Sequence, residues 1–275
     1  ITKSMQSKIQ AHRRLAAEIP RAIDEEEFIP FFQPQVDADT GEIVGAEALV
    51  RWSHPEQGVL SPSAFLSAAA ELGTVAEIDR IMLRKALAFS EMAIASGTGL
   101  SSVSVNMSAA RLMAPKLPSD VAAWWTSASC ALSIELLETI YFDEIQEEAV
   151  FNKNLAALRE MGVRIETDDF GSGRASITGL LKIKPDRIKI DKSLIQAAVR
   201  DPIKRQVVAA ILEMARALEI EVMAEGVETD KDVAIIRELG CRVFQGYAFG
   251  RPMEAVAFLE FLQTTSDEAR HAQAC

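Results

Sequence analysis

Val163-Arg164-Ile165-Glu166-Thr167-Asp168-Asp169-Phe170-Gly171-Ser172-Gly173 alternates apolar and polar residues, then sets two carboxylates side by side and closes on two glycines. The alternation predicts a strand over residues 163–167 that delivers charge to a tight loop. Adjacent aspartates repel: unit charges about 4 Å apart cost roughly 4 kcal/mol at an effective dielectric near 20, and a cation between them removes that cost. Taken alone, such a pair is more commonly a solvated turn capping the next helix. The residues that the rest of the chain brings beside it decide between the two.

Working outward, seven more stretches have strand character: 28–36, 43–52, 102–107, 132–137, 187–190, 220–224 and 242–245. Helical stretches lie between them, notably 63–72, 75–96, 142–161, 202–218 and 230–239. Only six turn-like residues, Asp37 to Glu42, separate the first two strands, too few for a parallel crossover, so those two are antiparallel. Strands alternating with helices make this an α/β protein, and eight strands in a chain of 275 residues fit a closed, TIM-like (β/α)8 barrel with the first strand antiparallel. A doubly wound open sheet is the alternative. Upstream, Ile1, Met5, Ile9, Leu15 and Ile19 keep helical spacing, and Pro20 is placed to start a second helix whose acidic end is Asp24 to Glu27. Ile1 rather than Met opens the chain, which points to a fragment whose first helix continued into an upstream domain, although a cloning boundary gives the same letters.

With 49% hydrophobic and 25% charged residues the composition is that of an ordinary globular protein. A net charge of −11 opposes binding to polymeric nucleic acid, so a phosphate-bearing ligand would need a cation to mediate. No apolar run reaches the length of a membrane span and no secretory signal opens the chain, so it is cytoplasmic in character, with membrane tethering of a longer protein left open. Cys130, Cys241 and Cys275 are widely spaced without a CxxC pattern, which argues against a disulfide framework or a thiolate metal site. His12, His54 and His271 form no ligand spacing, and His54 reads as structural.

A barrel gathers its site at the carboxyl ends of its strands. Those ends carry Gln33, Glu47, Asn106, Glu135 with Glu138, Asp168 and Asp169, Lys189 with Asp191, Glu225, and Gln245. Hard oxygen donors without His or Cys suit Mg²⁺, Mn²⁺ or Ca²⁺.

Several motifs then recur in an order that resembles the EAL-domain phosphodiesterases, which act on the bacterial second messenger cyclic di-GMP. They are Glu47-Ala48-Leu49 with Val50-Arg51-Trp52, His54-Pro55 to Pro62, Val105-Asn106-Met107-Ser108, Asp168-Asp169-Phe170-Gly171-Ser172-Gly173, Lys189-Ile190-Asp191, Ala224-Glu225-Gly226-Val227-Glu228 and Gln245-Gly246-Tyr247. The resemblance spans residues 22–262. It implies a modified barrel with one reversed strand, occupying residues 22–264 between an N-terminal helical extension (1–21) and a C-terminal tail (265–275). It implies hydrolysis of one phosphodiester of cyclic di-GMP to linear pGpG.

Carried over by position, Glu47, Asn106, Glu135 and Asp168 hold one metal, and Asp168, Asp169 and Glu225 a second, with Asp168 bridging. Mg²⁺ or Mn²⁺ is the implied cofactor, two per site, with Ca²⁺ inhibitory. In a two-metal site the cations acidify a bound water and stabilise the departing oxygen. Lys189 would orient that water or neutralise transition-state charge, and Glu225 is the other candidate for activating it. Gln33, Leu49, Arg51, Asp191 and Gln245 would face substrate, Arg51 being suited to a phosphate or a guanine edge. Glu138 would fix the following loop and Glu228 cap a helix. The resemblance also implies an upstream sensory or regulatory domain and a homodimer.

Two departures stand out. Leu137 replaces the usual Thr beside Glu135, and the loop runs Gly171-Ser172-Gly173-Arg174-Ala175-Ser176 where an aromatic usually precedes the serines. A cyclic di-GMP receptor that binds without cutting is the alternative function, although such members typically lack one of these acids and this chain lacks none. A barrel aldolase using Lys189 as a Schiff base is a third reading, disfavoured because the surrounding carboxylates keep the amine charged.

Overall fold

The computed structural model describes residues 3–126, 130–137, 148–172 and 177–273. In order the described elements are α1 (Lys3–Asp24), β1 (Phe28–Asp37), β2 (Ile43–His54), β3 (Gly58–Leu60), α2 (Pro62–Glu71), α3 (Val75–Ala95), β4 (Ser102–Met107), α4 (Ala109–Leu112), α5 (Leu117–Trp124) and β5 (Ala131–Leu137). Then come α6 (Glu148–Glu160), β6 (Arg164–Phe170), α7 (Ile177–Ile183), β7 (Arg187–Ile190), α8 (Lys192–Arg200), α9 (Pro202–Ala217), β8 (Glu221–Ala224), α10 (Asp230–Glu238), β9 (Val243–Gln245), β10 (Met253–Glu254) and α11 (Ala255–Gln273). Strands β2, β4, β5, β6, β7, β8 and β9 are parallel neighbours. β1 closes the ring between β9 and β2, antiparallel to both. The result is the closed barrel with a reversed first strand. Its reversal follows from the short β1–β2 connection, where Asp37 accepts the amides of Asp39 (2.8 Å) and Thr40 (2.9 Å) and Gly41 takes φ +74°.

Alternation along each strand sorts the side chains into two environments. Val103, Val105, Ile134, Ile188 and Ile190 are buried in the apolar layer that includes the helices. The opposite face fills the barrel with polar groups: Gln33, Gln35, Glu47, Ser104, Ser133, Glu135, Glu166, Arg187, Lys189 and Gln245 are all buried. Barrel interiors are usually filled with branched aliphatics, so this interior is committed to charge and hydrogen bonding. Lower in it, Arg187 donates to Glu166 at 3.1 Å and to Glu221 at 3.0 Å.

Two sequence expectations are corrected. Residues on both sides of Pro20 form one helix, α1, rather than two. Leu15, Ile19 and Ala22 pack one face into the core, while Pro20 is exposed, so its missing N–H falls on the solvent side. The second correction concerns the decisive stretch: β6 does not stop at Thr167 but runs through both aspartates to Phe170.

Thr167 pairs with Ile188 and Phe170 with Ile190, so three steps on β6 match two on β7, the signature of a bulge. Asp169 absorbs the extra residue at φ +58°, in a region that aspartate tolerates better than most residues. The slip returns Phe170 to the apolar layer beside Ile188 and lets Asp169 stay with Asp168 on the polar side.

Candidate metal and active site

The site residues on neighbouring strands converge because the backbone registers match: Asn106 pairs with Glu135, and Asp168 is level with position 137, two residues beyond Glu135. Lys189 sits at the centre, fully buried. Its Nζ lies 2.7 Å from Glu225 Oε1, 2.9 Å from Glu135 Oε2, 3.1 Å from Glu47 Oε2 and 3.5 Å from Asp168 Oδ1. Burial alone would drive the ammonium to release its proton, but the carboxylates of Asp168, Glu135, Glu225 and Glu47 outweigh burial and hold its pKa well above the usual lysine range. A charged amine cannot attack a carbonyl, which counts against the aldolase reading.

The carboxylates divide. Burial raises the pKa of Glu47, but Lys189 and the Gln245 amide more than offset it and leave the group below the usual range. Glu135 is pushed well above that range by burial and by the charge of Glu47. Glu225 is also pushed well above it, by burial and the charge of Asp168 against the pull of Lys189. Asp169 is pushed up to about 6 by burial, then by Asp168 and Asp191. One ammonium therefore faces more negative charge than it can neutralise.

Glu135 Oε1 is buried with no hydrogen-bond partner, a costly state for a carboxylate oxygen unless something else occupies its lone pairs. Ligand atoms of Glu47, Glu135 and Asp168 lie within 4.8 Å of one another, as do those of Asp168, Asp169 and Glu225. Asp168 belongs to both groups. Asn106 adjoins the first by donating its amide to Glu47 Oε1 at 2.7 Å. An all-oxygen, acid-rich set with an orphaned buried oxygen fits hard divalent cations such as Mg²⁺ or Mn²⁺.

Above the acids opens a cleft of about 250 Å³. Gln33, Leu49 and Gln245 line it, as do Glu47, Asp168 and Glu225. Gln245 donates to Gln33 Oε1 at 3.2 Å and to Glu47, while Gln33 donates to the Gly250 carbonyl at 3.0 Å, so both amides are fixed. Arg51 and Asp191 are not among the lining residues. Arg51 donates to the Val50 carbonyl (2.8 Å) and stands 5.5 Å from the Phe31 ring centroid, and Asp191 accepts from Ser193 N at 3.0 Å as the N-cap of α8. Glu138 and Arg174 lie outside the described residues.

Sequence reasoning missed Lys192 and gave Glu228 the wrong task. The cap of α10 is Thr229, in a reciprocal box with Asp232, which leaves Glu228 to accept from Lys192 Nζ at 2.6 Å on the cleft wall. The missed signal is positional: Lys192, Glu228 and Tyr247 each follow a barrel strand end by a few residues. His54 is structural as expected, its Nδ1 accepting from the Glu56 amide (3.1 Å) and its Nε2 lying 2.6 Å from Glu18. Cys130 and Cys241 are buried free thiols, both pushed up to about 12 by burial. Among the described residues no helix is long and apolar enough to cross a membrane.

A (β/α)8 barrel with its first strand reversed and an acid–lysine cluster at one rim defines a specific class. The EAL domain model matches residues 16–252, and the chain belongs to the EAL-domain family. It is 33% identical over 253 residues, 91% of its length and 32% of the relative's, to the cyclic di-GMP phosphodiesterase NbdA of Pseudomonas aeruginosa. It superposes on the PaMucR phosphodiesterase in complex with c-di-GMP with a TM-score of 0.79 and 29% identity, covering 89% of this chain and 99% of that one. A manganese/cyclic-diGMP complex of Klebsiella pneumoniae BlrP1 aligns with a TM-score of 0.70 and 27% identity over 83% of this chain and 56% of that one. The chain spans about a third of the length of the first curated relatives it matches.

Proposed function

We infer that this domain is a metal-dependent phosphodiesterase that hydrolyses cyclic di-GMP to linear pGpG. The observation that carries the reading is the sharing of Asp168 between two acid groups around a charged lysine, with every acid of the family pattern retained. Glu47, Asn106, Glu135 and Asp168 would hold one cation, and Asp168, Asp169 and Glu225 the other. Divalent cations in such sites supply Lewis acidity toward phosphoryl oxygens and acidify water.

The chain's own residues do the rest. Water adds to phosphorus, the P–O3′ bond breaks, and a proton reaches the departing 3′-oxygen. Lys189 is held as an ammonium and cannot serve as the base. Its role is to keep Glu47, Glu135, Asp168 and Glu225 converged and to oppose charge growing on the phosphoryl oxygens. Glu225, which lines the cleft and lies 2.7 Å from Lys189 Nζ, is placed to take the proton from the attacking water. Gln33 and Gln245, fixed by their own hydrogen bonds, would orient the nucleotide.

Purified protein with Mn²⁺ or Mg²⁺ should convert cyclic di-GMP to pGpG on ion-exchange chromatography, Asp168→Asn should abolish it, and replacement of the metal by Ca²⁺ should leave binding without turnover. Turnover persisting in Asp168→Asn overturns the ligand assignment. Tight binding with no product in Mn²⁺ makes the domain a receptor instead.

A further inference from the structure

The cleft presents a charge problem that the acid cluster does not solve. Among the described residues that line it are four carboxylates, Glu47, Asp168, Glu225 and Glu228, and one cationic side chain, Lys192, with Arg51 near enough to Glu47 and Tyr247 to interact with their charge. A cyclic dinucleotide bears two phosphodiesters. Only one can occupy the reacting cluster, and the other needs a donor elsewhere on the wall. Lys189 is fully buried beneath the carboxylates and cannot reach it.

Lys192 is unusually well held for a side chain that remains 48% exposed. A Cβ on Gly226 would lie 2.2 Å from Lys192 Cγ, and Gly226 takes φ +64°, so the absence of a side chain there leaves room for the lysine stem. The ammonium donates to Glu228 Oε1 at 2.6 Å and stands 5.4 Å from the Tyr247 ring centroid. An ammonium has three N–H donors, so engagement with Glu228 leaves donors for an incoming anion. A stem fixed at its base and a head partly open to solvent describe a pre-oriented anion contact, whereas an ordinary surface ion pair needs no vacated glycine.

Resting on the reading of this cleft as a cyclic di-GMP site, we propose that Lys192 recognises the phosphodiester that is not cleaved and so sets the affinity for the cyclic dinucleotide.

The test compares wild type, Lys192→Gln, Lys192→Arg and Arg251→Gln in Mn²⁺ turnover of cyclic di-GMP and in calorimetric binding with Ca²⁺, with melting temperatures alongside. Arg251 lies 4.1 Å from the Tyr247 ring centroid but outside the cleft lining, so it controls for general loss of positive charge. Lys192→Gln should raise KM and Kd about tenfold with kcat within about twofold, and Lys192→Arg should restore most of the affinity. Arg251→Gln should stay within about twofold of wild type. An unchanged KM in Lys192→Gln, a loss confined to kcat, or an equal loss in Arg251→Gln overturns the proposal. If wild type binds without cutting, the same Kd comparison decides it. If wild type does neither, the function reading itself falls and takes this one with it.

Discussion

Lys189 Nζ and Glu225 Oε1 lie 2.7 Å apart across the top of the barrel, an ion pair whose lysine is fully buried and whose carboxylate is 16% exposed. The ammonium is the shared neighbour of acids on three strands and of Glu225 just past a fourth, so it is the residue whose loss disturbs the most.

Lys189→Met leaves Glu47, Glu135, Asp168 and Glu225 without their common counter-charge. Removing one partner of a buried ion pair typically costs about 3–5 kcal/mol. The variant should melt well below wild type in EDTA and recover part of the difference in Mn²⁺, while turnover stays lost. Equal melting in EDTA would mean that these acids do not depend on the lysine.

Glu135→Gln tests the excess charge from the other side. Because burial raises the pKa of Glu135 in the folded protein, the native state holds its proton longer than the unfolded chain does. Its favourable contribution is present at pH below the ordinary carboxylate value and is lost as pH rises through the raised one. In EDTA the Gln variant should therefore gain stability over wild type as pH rises above the ordinary carboxylate range. It should bind Mn²⁺ more weakly. A denaturation series showing no pH-dependent gap contradicts this.

Asp79, on α3, accepts the Ser108 amide at 2.9 Å, two residues beyond Asn106, and burial pushes its carboxyl up to about 6. Asp79→Ala should cost about 1–2 kcal/mol from the unsatisfied amide and loosen the turn that sets Asn106. Asp79→Asn keeps an acceptor and should lose much less. Chemical denaturation combined with Mn²⁺ titration separates the two, and identical behaviour of Ala and Asn would remove Asp79 from the support of the site.

Much of this molecule could be read from its letters, and the limits have physical causes. The reversed β1 followed from a connection too short to cross the sheet, and the converging acids from their places at strand ends. The bulge at Asp168–Asp169 did not, because pairing depends on β7, which lies well downstream. Pro20 misled for a similar reason: tertiary packing of Ile19 and Ala22 overrode a local rule. β3 and β10, at three and two residues, are too short to show any alternation. Arg51 and Asp191 match a family pattern by position, and each also has a local partner, the Val50 carbonyl and Ser193. Lys192 was invisible because its meaning lies in Gly226, a residue on another strand's exit.

The single extra residue in β6 works as a phase shifter. Upstream of it, odd-numbered side chains face the helices; downstream, even-numbered Phe170 does. Without the bulge, the same letters running in unbroken alternation would send Asp169 into oil and the Phe170 ring into the charged lumen. The neighbouring carboxylates can thus share one rim only because the backbone skips a beat between them and the phenylalanine.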